Sequence, residues 1–252
     1  MNELLSVRGL TKRYPGFTLD SVSFSVAPGR IMGLIGKNGA GKSTTLKAIL
    51  NLIPTDAGSV TLLDQDVRER ELACKAQVGV VFGGLDYYPL KRLSAITRAT
   101  RQFYSQWDQD RYEACLRRFG LEEEKPFKTL SNGMKVKYLL ALALSHHARL
   151  LLLDEPTSGL DPVSRDEILH LFTRIVSDGS CSILFSTHIT SDLDRCAHDI
   201  TYLHNGQVLA SAPKDAFRRA FDHLRTPEEL DPLTLEEIML RTERRDWDEA
   251  AL

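Results

Sequence analysis

Nine consecutive residues, Gly36-Lys37-Asn38-Gly39-Ala40-Gly41-Lys42-Ser43-Thr44, restrict this chain more than any other segment. They fit the pattern G-x-x-x-x-G-K-[ST], and they stand where that pattern has physical meaning. Pro28-Gly29 turns the chain into the apolar run Ile31-Met32-Gly33-Leu34-Ile35, which reads as a buried strand. A helix is predicted from Lys42 to Leu50. Between strand and helix, the glycines let successive backbone N–H groups face one anion, and the helix N-terminus adds a partial positive charge. Residues 36–44 are therefore candidates for holding the phosphates of a nucleoside triphosphate. Lys42 reads as the cation across the β- and γ-phosphates, and Ser43 as a hydroxyl ligand for Mg²⁺. Strand, glycine loop and helix in that order open an α/β nucleotide-binding fold.

The second element is Leu150-Leu151-Leu152-Leu153-Asp154-Glu155. A buried apolar strand delivers two carboxylates at its C-terminal end, which is where ligands bind in parallel sheets. Asp154 reads as part of the Mg²⁺ shell. Glu155 reads as the group that polarises an attacking water, because phosphoryl transfer needs a positioned nucleophile. Adjacent carboxylates after a strand also serve as simple helix caps. Their catalytic reading depends on the glycine loop being present in the same chain.

Around these motifs the period of the apolar residues changes along the sequence. Leu4–Leu10 and Thr18–Val26 are strand-like, the latter alternating through Leu19, Val22, Phe24 and Val26, the mark of half-buried antiparallel strands. From about Gly84 to Arg149 the pattern is helical, with helices predicted at Leu90–Tyr104, Gln109–Phe119 and Met134–Ser145. The last is apolar nearly all round and should be buried. A strand at Leu150–Asp154, a helix at Pro162–Ser177 opened by its proline, and a strand at Ser182–Ser186 follow. Asn205-Gly206 between Ile200–Leu203 and Gln207–Ala210 is a strong hairpin signal. The division expected is an α/β core over 1–83 and 150–217, a helical insertion over 84–149, and an acidic tail over 218–252.

Composition narrows the function classes. With 32 Lys and Arg against 34 Asp and Glu, the net charge of −2 offers no electrostatic footprint for nucleic acid. The four cysteines, Cys74, Cys115, Cys181 and Cys196, are far apart with no C-x-x-C pair, and read as reduced thiols. The most apolar run, Leu150–Leu153, is far short of the ~20 residues a bilayer span needs. Any membrane role is expected to come through a separate chain.

A third motif is Leu130-Ser131-Asn132-Gly133-Met134, which in isolation reads as a helix cap. Taken in order, the glycine loop, the helical insertion, this L-S-x-G-x segment, the Asp154-Glu155 strand, Ser158-Gly159-Leu160-Asp161 and His188 resemble the ABC ATPase family over roughly residues 4–217. The resemblance implies a P-loop NTPase (RecA-like) core with an antiparallel β subdomain and an inserted α-helical subdomain. It implies an ATP hydrolase using Mg²⁺, paired head-to-tail with a second nucleotide-binding subunit, homo- or heterodimeric. Each ATP would lie between the glycine loop of one subunit and Ser131, Asn132 and Gly133 of the other, with Asp161 at the same interface. It further implies that His188 is a switch histidine contacting the γ-phosphate and Glu155, and that Tyr14 stacks under adenine.

Two positions depart from the family's pattern. Gly83 stands where glutamine is usual, and Asn132 where glycine is usual. At the first, a water is expected to take the missing amide's place on Mg²⁺ in preference to Asp86, whose charge would crowd Asp154 and Glu155. The best reading is an ATPase on the inner face of the cell membrane, driving a separate permease. Pro232–Met239 and the Phe82-Gly83-Gly84 variant resemble ATPases of bacterial exporters for drugs, peptides or ions. The alternative is a soluble ABC ATPase acting as a scaffold or assembly factor.

Overall fold

The computed structural model describes residues 3–82, 88–226 and 229–250, the last six by their backbone alone. Its strands are β1 (Leu5–Tyr14), β2 (Phe17–Val26), β3 (Ile31–Ile35), β4 (Ala57–Leu62), β5 (Gln65–Asp66), β6 (Val78–Phe82), β7 (Leu150–Asp154), β8 (Ser182–Thr187), β9 (Asp199–His204) and β10 (Gln207–Pro213). Its helices are α1 (Lys42–Ile49), α2 (Glu71–Lys75), α3 (Leu93–Arg101), α4 (Gln109–Phe119), α5 (Asn132–Ser145), α6 (Pro162–Val176), α7 (Thr190–Cys196), α8 (Lys214–Ala220) and α9 (Leu235–Ala250).

Two sheets form. A six-stranded sheet runs in the order β10-β9-β3-β8-β7-β6, and a four-stranded one in the order β2-β1-β4-β5. In the larger sheet β9, β3, β8, β7 and β6 are mutually parallel, with β10 antiparallel at one edge. The smaller sheet is antiparallel.

The run of leucines in β7 follows from this layering. Leu151 and Leu153 point into one apolar cluster together with Leu140 and Phe172, whereas Leu150 and Leu152 point into another with Leu5, Leu19 and Leu46. β3 and β8 divide the same way, Ile31 and Phe185 to the first cluster and Leu34 and Leu184 to the second. A parallel sheet covered on both faces needs apolar residues at every position, so alternation disappears.

The helical segment 88–149 is held by a buried polar knot as well as by apolar contact. Tyr112 and Tyr138 hydroxyls meet Thr97 Oγ1 at 2.7 and 2.9 Å, and Tyr138 also donates to the Leu93 carbonyl at 3.1 Å. This joins α3, α4 and α5. Helix α3 starts at Leu93, three residues later than the periodicity predicts. Arg92 bridges to Pro126, and the amides of Leu93 and Ser94 donate to Lys125 and Glu123 carbonyls. That loop satisfies donors which another helical turn would otherwise have covered.

The acidic C-terminal segment is folded. Leu233, Leu235 and Ile238 are buried in the same cluster as α5 and β8. Thr234 and Glu237 cap α9 reciprocally, Thr234 N donating to Glu237 at 2.8 Å and Glu237 N to Thr234 Oγ1 at 3.2 Å. Cys74, Cys181 and Cys196 are buried and Cys115 is partly so, all four as free thiols. Burial pushes the Cys181 and Cys196 thiols up to about 12.

Candidate nucleotide-binding and hydrolysis site

Strand β3 is buried along its whole length and ends at the glycine loop. Gly36 has φ +156°, and a Cβ there would lie 2.2 Å from the Leu203 carbonyl oxygen. Gly41 has φ +108°, and its Cβ would press on Phe17 at 2.9 Å. Both positions therefore exclude other residues. Lys37, Asn38 and Gly39 form the exposed rim, Ala40 is buried, and Ser43 and Thr44 are half-buried in the first turn of α1. Lys42 is buried, its Nζ donating to the carbonyls of Gly36 (2.7 Å) and Lys37 (3.3 Å).

The β7 carboxylates lie beside this loop. Glu155 Oε1 is 3.6 Å from Lys42 Nζ, and Glu155 Oε2 is 2.8 Å from His188 Nδ1. Asp154, Glu155, Lys42 and His188, widely separated in sequence, thus gather at one end of the parallel sheet. Ser186, on the neighbouring strand β8, organises them: its hydroxyl donates to Asp154 Oδ1 at 2.5 Å and accepts from the Glu155 amide at 3.0 Å. Glu155 itself has φ +50°, a left-handed conformation that costs a non-glycine residue on the order of 1 kcal/mol or more. Nothing in the linear pattern announces that strain or the role of Ser186.

Tyr14 pairs with Phe17 at the turn between β1 and β2, and Phe17 packs on Gly41, so the turn borders the glycine loop. The Tyr14 ring is 40% exposed with Lys12 Nζ 5.5 Å above it. Ser131 caps α5, accepting from Met134 N at 3.2 Å. Asp161 caps α6, accepting from Val163 N and Ser164 N at 3.1 and 3.0 Å. Hydrogen bonds from the Ser164 side chain and amide hold the Asp161 carboxyl below the usual carboxylate range. Gly133 abuts Ser164, and Asn132 Nδ2 would be 3.8 Å from a Cβ on Gly159. The two helix starts and the 158–161 loop therefore stand side by side. Among the described residues, no hydrogen bond joins 131–133 to the glycine loop of the same chain. Gly83 and Asp86 lie outside the described residues.

One buried group was not foreseeable from the motifs. Asp192, in the first turn of α7 and 1% exposed, accepts from Thr157 Oγ1 at 2.6 Å and from Arg165 Nε at 2.5 Å. It ties the loop after Glu155 to the helix that follows His188. Asp192→Ala should leave Thr157 and Arg165 without this acceptor and cost about 2 kcal/mol of stability, less than a fully closed ion pair because Arg165 keeps solvent access. Urea denaturation measures this; a loss under ~0.5 kcal/mol, the range of ordinary surface changes, would show that the network does not hold the loop.

Mg²⁺ takes hard oxygen ligands, few of them from protein and the rest from water and substrate phosphates. Ser43 and Asp154 supply such oxygens, and no group of three or more metal-ligating side chains exists among the described residues. A sparse hydroxyl-and-carboxylate set fits a metal that arrives with its nucleotide.

A glycine cradle after the central parallel strand, with carboxylates on a second strand at the same end of the sheet, defines the P-loop NTPase class. Within that class the chain belongs to the ABC transporter family, whose pattern matches residues 19–158. It is an ABC ATPase subunit. It is 35% identical to the Nod factor export ATP-binding protein I of Burkholderia pseudomallei, over 81% of this chain and 69% of that protein. Against the bacitracin transport ATP-binding protein BcrA of Enterococcus faecalis, identity is 30%, over 83% of this chain and 69% of that one. A solved ATP-binding subunit of an ABC transporter superposes with a TM-score of 0.83 at 29% identity, covering 95% of this chain and 99% of that one.

Proposed function

We propose that this ATPase powers export through a separate membrane permease by closing, as a head-to-tail dimer, on two Mg²⁺-bound ATP molecules. In this reading residues 36–44 hold the triphosphate of ATP and Tyr14 stacks on adenine. Ser43 and Asp154 would hold Mg²⁺, which would supply positive charge to offset that of the phosphates. Glu155 orients the attacking water and accepts its proton, while His188 fixes the Glu155 carboxylate and reaches the γ-phosphate. Ser131, Asn132 and Gly133 present the α5 N-terminus to the ATP held by the other subunit, where its amides stabilise negative charge. Asp161 stands at the same interface. Export is supported by the relatives named for Nod factor export and bacitracin transport. No helix among the described residues is long and apolar enough to cross a membrane.

The observation that carries the permease reading is a cleft of about 210 Å³ along β6, the edge strand of the main sheet. Phe82, Tyr104, Leu139 and His146 line it. Burial pushes the His146 imidazole down to about 4, so this wall is uncharged at neutral pH. In the same helical segment Tyr88, Leu90 and Phe103 expose 61%, 72% and 82% of their surface. Large apolar groups left exposed in this way are candidate interaction sites. Tyr87, also expected here, lies outside the described residues. Replacing Tyr88 and Leu90 together by Ser should reduce co-purification with a co-expressed permease by about tenfold, given the usual weight of aromatic anchors, and leave ATP binding unchanged. Undiminished co-purification from detergent would remove this surface from the docking site.

A further inference from the structure

The C-terminal helix α9, which lies beyond the matched family region, reaches back to the glycine loop. Its start is fixed by the buried Leu233, Leu235 and Ile238 and by Arg241, which pairs with Glu229 and donates to the Leu224 carbonyl. Two residues beyond Arg241, Glu243 extends its carboxylate between two elements. Oε2 lies 2.9 Å from Lys37 Nζ, and Oε1 meets His204 Nδ1 at 2.9 Å and accepts from the Tyr202 hydroxyl at 3.3 Å. Lys37 is the second residue of the loop; Tyr202 and His204 are buried at the end of β9.

That strand already forms the outer wall of the loop. Gly36 presses on the Leu203 carbonyl, and Gly206 N in the β9–β10 turn donates to the Ala40 carbonyl at 3.1 Å. Inside the loop, Lys42 holds the carbonyls of Gly36 and Lys37. A lysine that moves onto a triphosphate gives up those two bonds. The contact from Glu243 to Lys37 lies on the other side and does not depend on Lys42. We propose that Glu243 is a positioning residue for nucleotide binding, bracing residues 36–40 against β9 when Lys42 turns to the phosphates.

Two effects oppose each other here. A carboxylate near a triphosphate repels it, but this one is neutralised by Lys37, which is 45% exposed at its side chain and screened by solvent. A cradle of backbone amides, in contrast, works only when each N–H is already aimed, because ordering it at the moment of binding subtracts from affinity. Positioning therefore outweighs repulsion.

The proposal rests on the glycine loop binding ATP, and its test separates the two. In the full chain, Mg²⁺-ATP dissociation constants would be measured by calorimetry for Glu243→Ala, Lys37→Ala and both together, alongside melting temperatures. Each single variant should weaken binding by about three- to tenfold, and the double variant no more than either single one. Unchanged affinity with a lowered melting temperature would make Glu243 merely structural and overturn the proposal, as would tighter binding in Glu243→Ala. Lys42→Ala serves as the control: if it binds ATP like the unaltered chain, the nucleotide reading of the loop itself is what fails.

Discussion

Glu155→Gln should bind ATP with little change and lose turnover by a factor on the order of 10²–10⁴, the usual contribution of a positioned general base. Glutamine has the shape of glutamate, so the φ of +50° and the amide bonds to Ser186 remain as they are. What disappears is the negative charge that holds the water's proton as the oxygen attacks. His188 can still bond the amide, and Lys42 gains freedom to stay on the phosphates because its 3.6 Å neighbour is now neutral. The bound state is thereby prolonged and its decay blocked, so ATP should drive the variant into a long-lived dimer. Gel filtration with and without ATP, together with phosphate release, measures both halves. Hydrolysis at the unaltered rate would remove Glu155 from the role of base.

Much of this was legible because phosphate chemistry demands local, contiguous patterns. Residues 36–44 need glycine at the positions of unusual φ and lysine at the helix start, and no packing arrangement elsewhere can substitute for them. The leucines of β7 were readable for a similar reason, since a strand covered on both faces carries apolar residues throughout. β4 was not readable in this way. Ala57, Gly58 and Ser59 give it no alternation, and it is a strand because β1 has a second edge to pair. The supports of the site were hidden for the same physical reason. Ser186, Asp192 and Glu243 act across gaps of 32, 35 and 206 residues, toward Asp154, Thr157 and Lys37 respectively. Only the tertiary fold makes them neighbours. The C-terminal segment shows the limit most clearly: its composition reads as an acidic tail, while Leu233, Leu235 and Ile238 give it a buried apolar face.

Lys42→Ala should abolish detectable hydrolysis and weaken ATP binding at least ~100-fold, while the nucleotide-free chain keeps its melting temperature within a few degrees. The first half follows from charge. An ammonium across two phosphate oxygens makes charge-assisted hydrogen bonds of about 1.5–3 kcal/mol each, and two of them exceed the ~2.7 kcal/mol that a hundredfold represents. The second half follows from what surrounds Lys42 in the nucleotide-free chain. Its partners are the Gly36 and Lys37 carbonyls, and Lys37 O retains the Ala40 amide at 3.1 Å after the lysine is gone. Glu155 retains His188 at 2.8 Å and is 22% exposed at its side chain, so no carboxylate is left buried without a partner. The β3–α1 turn itself is held by glycine geometry and by Thr45, whose amide and hydroxyl both return to the Gly41 carbonyl. A loss of binding without a loss of fold is therefore the expected pairing. Thermal denaturation of both nucleotide-free proteins separates the cases: a large drop for the variant would make Lys42 a structural residue and its assignment to phosphate incorrect.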